Sequence, residues 1–158
     1  MSNTTHDTRT GVELAARMRD EHAKVDELAG VLSERVAHVP RANQQRWIDA
    51  AREAFEHFRA HMHRHIAMEE RDGYMTAVVE MRPRLSDEVD RLKREHRQIL
   101  KLLNGVHDLC EDVDPADSLI IRDVCHRVQD ILRYVEHHNH SENLLIISAF
   151  SEDIGTHD

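Results

Sequence analysis

Hydrophobic residues recur along this chain in steps of three and four, the spacing that gathers side chains on one face of an α-helix. Four segments carry the pattern. The first runs from about residue 11 to 36, with Leu14, Met18, Val25, Ala29, Leu32 and Val36 on its stripe, and stops before Pro40. The second extends from about Asn43 to Met81: Trp47, Ala51, Phe55, Phe58 and Met62 lie on or beside its apolar face, Gly73 offers a point of bending, and Pro83 follows its end. Ser86 reads as the N-cap of the third, ahead of Asp87 and Glu88 in a first turn where the helix dipole favours acids. Its stripe of Val89, Leu92, Ile99, Leu103 and Val106 leads to about Cys110. Asp114 followed by Pro115 reads as cap and first residue of the fourth, whose stripe of Ile120, Val124, Ile131, Val135 and Leu145 reaches about Ala149. Four such helices joined by short loops predict an all-α fold, an up-down-up-down antiparallel four-helix bundle over residues 11–150. A disordered N-terminal tail at 1–10 and a C-terminal tail at 151–158 complete the expected organisation.

The stripes are interrupted by polar residues at positions that the pattern reserves for the core. His22 falls in step with Met18 and Val25, and His96 with Leu92 and Ile99. On the fourth helix the series 131, 135, 138, 142, 145 turns both His138 and Glu142 inward, and on the second Phe58, His61, His65 and Glu69 follow the same steps. These residues also form an internal repeat. Arg19-Asp-Glu-His22 matches Lys93-Arg-Glu-His96 at a spacing of 74, and His65-x-x-x-Glu69 matches His138-x-x-x-Glu142 at a spacing of 73. Two helical hairpins, each carrying one His and one HxxxE, imply a site with approximate two-fold symmetry. Six polar groups buried without partners would cost roughly 1 to 3 kcal/mol each, or about 6 to 18 together, against a whole-domain stability of about 5 to 15 kcal/mol. Something must bind them, and imidazoles and carboxylates converging from four helices point to metal.

Composition sharpens this picture. The chain has 158 residues with only 5 Gly and 3 Pro, enough for one helical domain with its own core. A formal charge of −9 repels nucleic-acid phosphates and anionic lipid, so neither is an expected partner. The polar first ten residues lack the apolar core of a signal peptide and no stretch has the length of a membrane span, which with two cysteines outside any CxxC pattern leads us to expect a cytoplasmic protein. The 14 histidines are far above the usual few per cent. Most lie off the stripes: His63 and His140 sit two residues, about 200°, from His65 and His138, and His137 about 100° from its neighbour. His38, His107 and His126 read as surface or loop residues, and His6 and His157 lie near the ends. His61 and Tyr134 differ, since each stands four residues before the His of an HxxxE unit, where it can act as ligand, hydrogen-bond partner or packing.

Four imidazoles and two carboxylates exceed what tetrahedral zinc needs, and no HExxH is present; two six-coordinate ions with N/O ligation, iron or manganese, use the set better. No histidine has Glu three residues before it, which disfavours the ferritin-like arrangement. With His, HxxxE, His, HxxxE in order over about Arg19 to Ile146, the chain resembles the haemerythrin-like, or HHE cation-binding, family. That resemblance implies a di-iron centre with a bridging oxo or hydroxo group. It also implies that Glu69 and Glu142 bridge the irons while His22, His65, His96 and His138 supply nitrogens. Oxygen-carrying haemerythrins have HxxxH on the third helix and an Asp-terminated motif on the fourth; here Leu100 stands four residues after His96, and Glu142 closes the last motif. One nitrogen fewer leaves about one open position per iron unless His61 or Tyr134 fills it.

Two functions follow as expectations. Open positions on a redox-active pair favour an oxidoreductase that turns over hydrogen peroxide or nitric oxide, a peroxidase- or catalase-like defence against oxidative or nitrosative stress. The alternative is a carrier or sensor that binds O2, NO or iron without turnover. A free-standing domain acts through its own centre, with small molecules as its partners.

Overall fold

The computed structural model describes the backbone of residues 3–71 and 73–151 and the side chains between 11 and 150, Asp72 excepted. Five α-helices follow in order: α1 (Asn3–Ala37), α2 (Gln44–Arg71), α3 (Tyr74–Met81), α4 (Ser86–Cys110) and α5 (Ser118–Ser151), with a 3₁₀ turn at Pro83–Leu85. The long four form the bundle. α1 packs against α2 and α5, and α4 against the same two from the other side, the ring that an up-down-up-down connection produces. The fold class read from the stripes is the one observed.

Three boundaries differ from expectation. α1 begins at Asn3, taking in most of the stretch expected as a tail, with no proline to stop it. Its Gly11 has a packing role: a Cβ there would lie 2.7 Å from the ring of Phe150, so its absence lets the start of α1 lie against the end of α5. Residues 152–158 of the expected C-terminal tail lie outside the described residues. The second expected helix is two helices. α2 stops at Arg71 and α3 starts at Tyr74, a path open to Gly73 because a Cβ there would meet the Glu69 carbonyl oxygen at 2.5 Å. Finally, Asp114 and Pro115 form a turn rather than a helix start. The Asp114 carboxylate accepts from Ala116 N–H at 2.8 Å, and the helix cap is Asp117, accepting from Ile120 N–H at 3.1 Å. In the first turn Ile120 is 43% exposed and Ile121, 5% exposed, is the buried residue.

The core has two apolar blocks stacked along the bundle. The larger contains Val25, Leu32, Phe55, Phe58, Met62, Ile99, Leu103, Val128 and Val135. The smaller closes the other end with Met18, Tyr74, Met75, Val78, Val89, Leu92, Leu145 and Ile146, most of α3 included. The polar residues of the stripes lie between them.

Candidate metal centre

Among the described residues, the buried polar or charged side chains are His22, His65, Glu69, His96, His138, Glu142 and one other, Asn139. The six expected from the sequence are thus the ones the bundle encloses. α1 and α4 supply one histidine each, and α2 and α5 each present a His and a Glu one helical turn apart. Within the bundle they fall into two groups whose ligand atoms lie within 4.8 Å of one another: His22, His65, Glu69 and Glu142, and His96, His138 and Glu142. Glu142 belongs to both. Its Oε1 lies 2.5 Å from His138 Nε2 and 3.7 Å from His96 Nε2, and Glu69 stands in close contact with His65 Nε2 and 3.8 Å from His96 Nε2.

Seven atoms at this centre, the four Nε2, both Glu69 oxygens and Glu142 Oε1, are buried without a hydrogen-bond partner. Nitrogen and carboxylate oxygen in that number, pointed at one another, fit divalent or trivalent ions of the iron and manganese kind.

The outer edges of the imidazoles explain why the inner ones are available. His22 Nδ1 meets Asn143 Oδ1 at 2.9 Å, His65 Nδ1 meets Glu21 Oε2 at 3.4 Å, His96 Nδ1 meets Glu70 Oε1 at 3.3 Å, and His138 Nδ1 meets Glu95 Oε1 at 3.4 Å. Each partner oxygen can only accept, so each Nδ1–H donates and each Nε2 keeps its lone pair directed inward. These four partners obey the same repeat as the six central residues. Glu21 and Glu95 precede the lone histidines of their hairpins, and Glu70 and Asn143 follow the two glutamates. The sequence pattern contained Glu21 and Glu95 inside the matched tetrapeptides, but their task, buttressing a histidine on the next helix, is visible only in three dimensions.

Electrostatics separate the two carboxylates in the metal-free protein. Burial, and then the facing Glu142 carboxylate, hold the Glu69 carboxyl well above the usual range. Burial pushes Glu142 the same way, but the neighbouring Glu69, His138 and His96 outweigh it and bring Glu142 well below the usual range. The two carboxyls are thus shifted in opposite directions, and Glu69 is the one that holds a proton more readily. Burial lowers His65 to about 4, so its ring is neutral at ordinary pH.

His61 is in neither group. His61 is half-buried, its ring stacked on His65 at 6.2 Å between centroids and its Nε2 4.0 Å from Glu21. Tyr134 lies partly buried in a groove between α4 and α5 lined by Leu102, Gly105, Val106 and Ile131. Of the histidines expected outside the site, His38, His126, His137 and His140 are exposed, His63 faces Asn104, and His107 pairs with Glu56. The side chains of His6 and His157 lie outside the described residues. The sequence reading missed Tyr74, whose hydroxyl donates to Glu142 Oε2 at 2.5 Å from a fully buried ring.

Residues 13–150 match the family model of the hemerythrin HHE cation binding domain, and the chain belongs to that family. No curated protein and no solved structure matches it. Family and geometry together define a cation-binding helical bundle whose buried His/Glu cluster fits a metal site. Among the described residues, no helix is long and apolar enough to cross a membrane.

Proposed function

We propose that the six central residues hold two irons joined by an oxo or hydroxo bridge, and that the centre turns over hydrogen peroxide or nitric oxide. The observation that carries this reading is the set of seven unpartnered donor atoms divided between two groups that share Glu142. Two six-coordinate ions need about twelve positions, so even with a shared bridge this set leaves room for small molecules at the centre. When bound, an iron pair supplies two-electron exchange with an oxidant, or sites for nitric oxide. The chain's own contribution is positional: Asn143, Glu21, Glu70 and Glu95 orient the imidazoles, and the apolar blocks on both sides restrict water.

One observation favours a second reading, a carrier or sensor of O2, NO or iron. The groups are unequal, with four residues around one and three around the other, as a centre with one protected and one open ion requires. Turnover separates the two. Mixing the iron-loaded protein with hydrogen peroxide, and separately with nitric oxide under reducing conditions, is expected to give sustained consumption of at least one over many equivalents. A reversible O2 adduct stable for hours, with neither peroxide nor nitric oxide consumed beyond one equivalent, would leave the carrier or sensor.

A further inference from the structure

The repeat that builds the centre is broken at one place. Position 73 of the first half corresponds to Ile146 of the second, and position 74 to Ile147, by the same spacing of 73 that relates His65 to His138 and Glu69 to Glu142. α5 continues without interruption through Ile146 and Ile147, and the latter is 60% exposed. In the first half the helix is interrupted instead. Gly73 is compatible with this path because it has no Cβ, which would otherwise lie 2.5 Å from Glu69 O and 2.6 Å from Glu69 Cα, both backbone atoms that cannot move aside cheaply. The interruption turns Tyr74 into the interior, where its hydroxyl donates to Glu142 Oε2 at 2.5 Å. Glu69 has no counterpart to this bond, and both its oxygens are unpartnered.

We propose that Tyr74 is a positioning residue that makes the two central carboxylates chemically unequal. By anchoring Glu142 Oε2, it leaves Oε1, which faces His138 and His96, as the one oxygen through which Glu142 meets the two groups it shares, whereas Glu69 offers two. This rests on the di-iron reading and replaces the pair of equivalent bridging carboxylates that the family resemblance implies. The unequal pair follows from a glycine and a tyrosine that one half of the repeat has and the other lacks. It sets the two metal positions apart although the six central residues themselves obey the repeat.

The test compares wild type with Tyr74→Phe, which keeps the ring in its cavity and removes only the donor. Infrared difference spectra, iron-loaded minus metal-free, with glutamate labelled at the side-chain carboxyl, isolate the carboxylates that meet metal. A carboxylate bound through one oxygen separates its antisymmetric and symmetric stretches more widely than one that bridges through both. Wild type is expected to show two separations, and Tyr74→Phe, at unchanged iron content, is expected to lose the wider one. An unchanged spectrum in the iron-loaded variant overturns the proposal. So does a single separation in wild type, a result that needs no variant to fold. Wild type that takes up no iron overturns the di-iron reading and this proposal with it, whereas iron uptake with equivalent carboxylates overturns this proposal alone.

Discussion

Glu142→Gln is expected to reduce bound iron from about two ions per chain to well under one, because Glu142 is the residue common to both donor groups. The substitution preserves shape and an oxygen that can accept from Tyr74, so it removes the shared anion and little else. Its effect on stability should depend on metal. Binding to the folded state alone contributes about 4 kcal/mol when free ligand exceeds its dissociation constant a thousandfold. At about 2 to 4 °C per kcal/mol for a domain of this size, the iron-loaded melting temperature should fall by roughly 8 to 16 °C. In chelator the variant and the parent should melt within about 2 °C of each other. Metal analysis with calorimetry, run in both conditions, checks this. His22→Ala reaches only one group and is expected to retain about one ion. Full iron content in Glu142→Gln would contradict the shared position.

Iron(II) affinity is expected to rise with pH, by up to about tenfold per unit over the range in which Glu69 holds its proton. The sign follows from Glu69. Its carboxyl is raised by burial and by Glu142, so the metal-free protein holds a proton there that a metal must displace. Raising the pH removes the competitor. His65, lowered to about 4, is already neutral and adds no proton in this range; only as the pH falls toward 4 should its protonation steepen the dependence. Anaerobic titration calorimetry in buffers of different ionisation enthalpy should register about one proton released by this carboxyl, and Glu69→Gln should abolish that release. An affinity independent of pH between about 6 and 8 would show that Glu69 is ionised before metal arrives.

The bundle and the centre were legible because helical periodicity is strict. A histidine in step with Leu92 and Ile99 has nowhere to go but inward, and the same holds for Glu142 between His138 and Leu145. Periodicity speaks for one helix at a time, and its failures are of that kind. His61 shares a face with His65 but lies about 6 Å further along the axis, a full turn beyond two groups that converge within 4.8 Å. Tyr134 stands one turn before His138 in the same way. Glu21, Glu70, Glu95 and Asn143 sit beside the central residues, half out of the core, and each serves a histidine on another helix, which no single-helix pattern encodes. The later start came from turn chemistry: the Asp114 carboxylate closes a short turn with Ala116, so the helix waits for Asp117. Gly73 was readable as a bend, but not its consequence, because only the folded chain shows its close approach to Glu69 and the bond from Tyr74 to Glu142.

The central claim is that the buried His/Glu cluster holds a pair of irons. The most direct measurement is iron per chain after anaerobic reconstitution with excess iron(II) and removal of unbound metal, followed by oxidation and Mössbauer spectroscopy in a strong applied field. About two irons per chain, both ferric and coupled to a diamagnetic ground state, is the expected result. One ion per chain, zinc retained in place of iron, or two irons with independent magnetic spectra would contradict it.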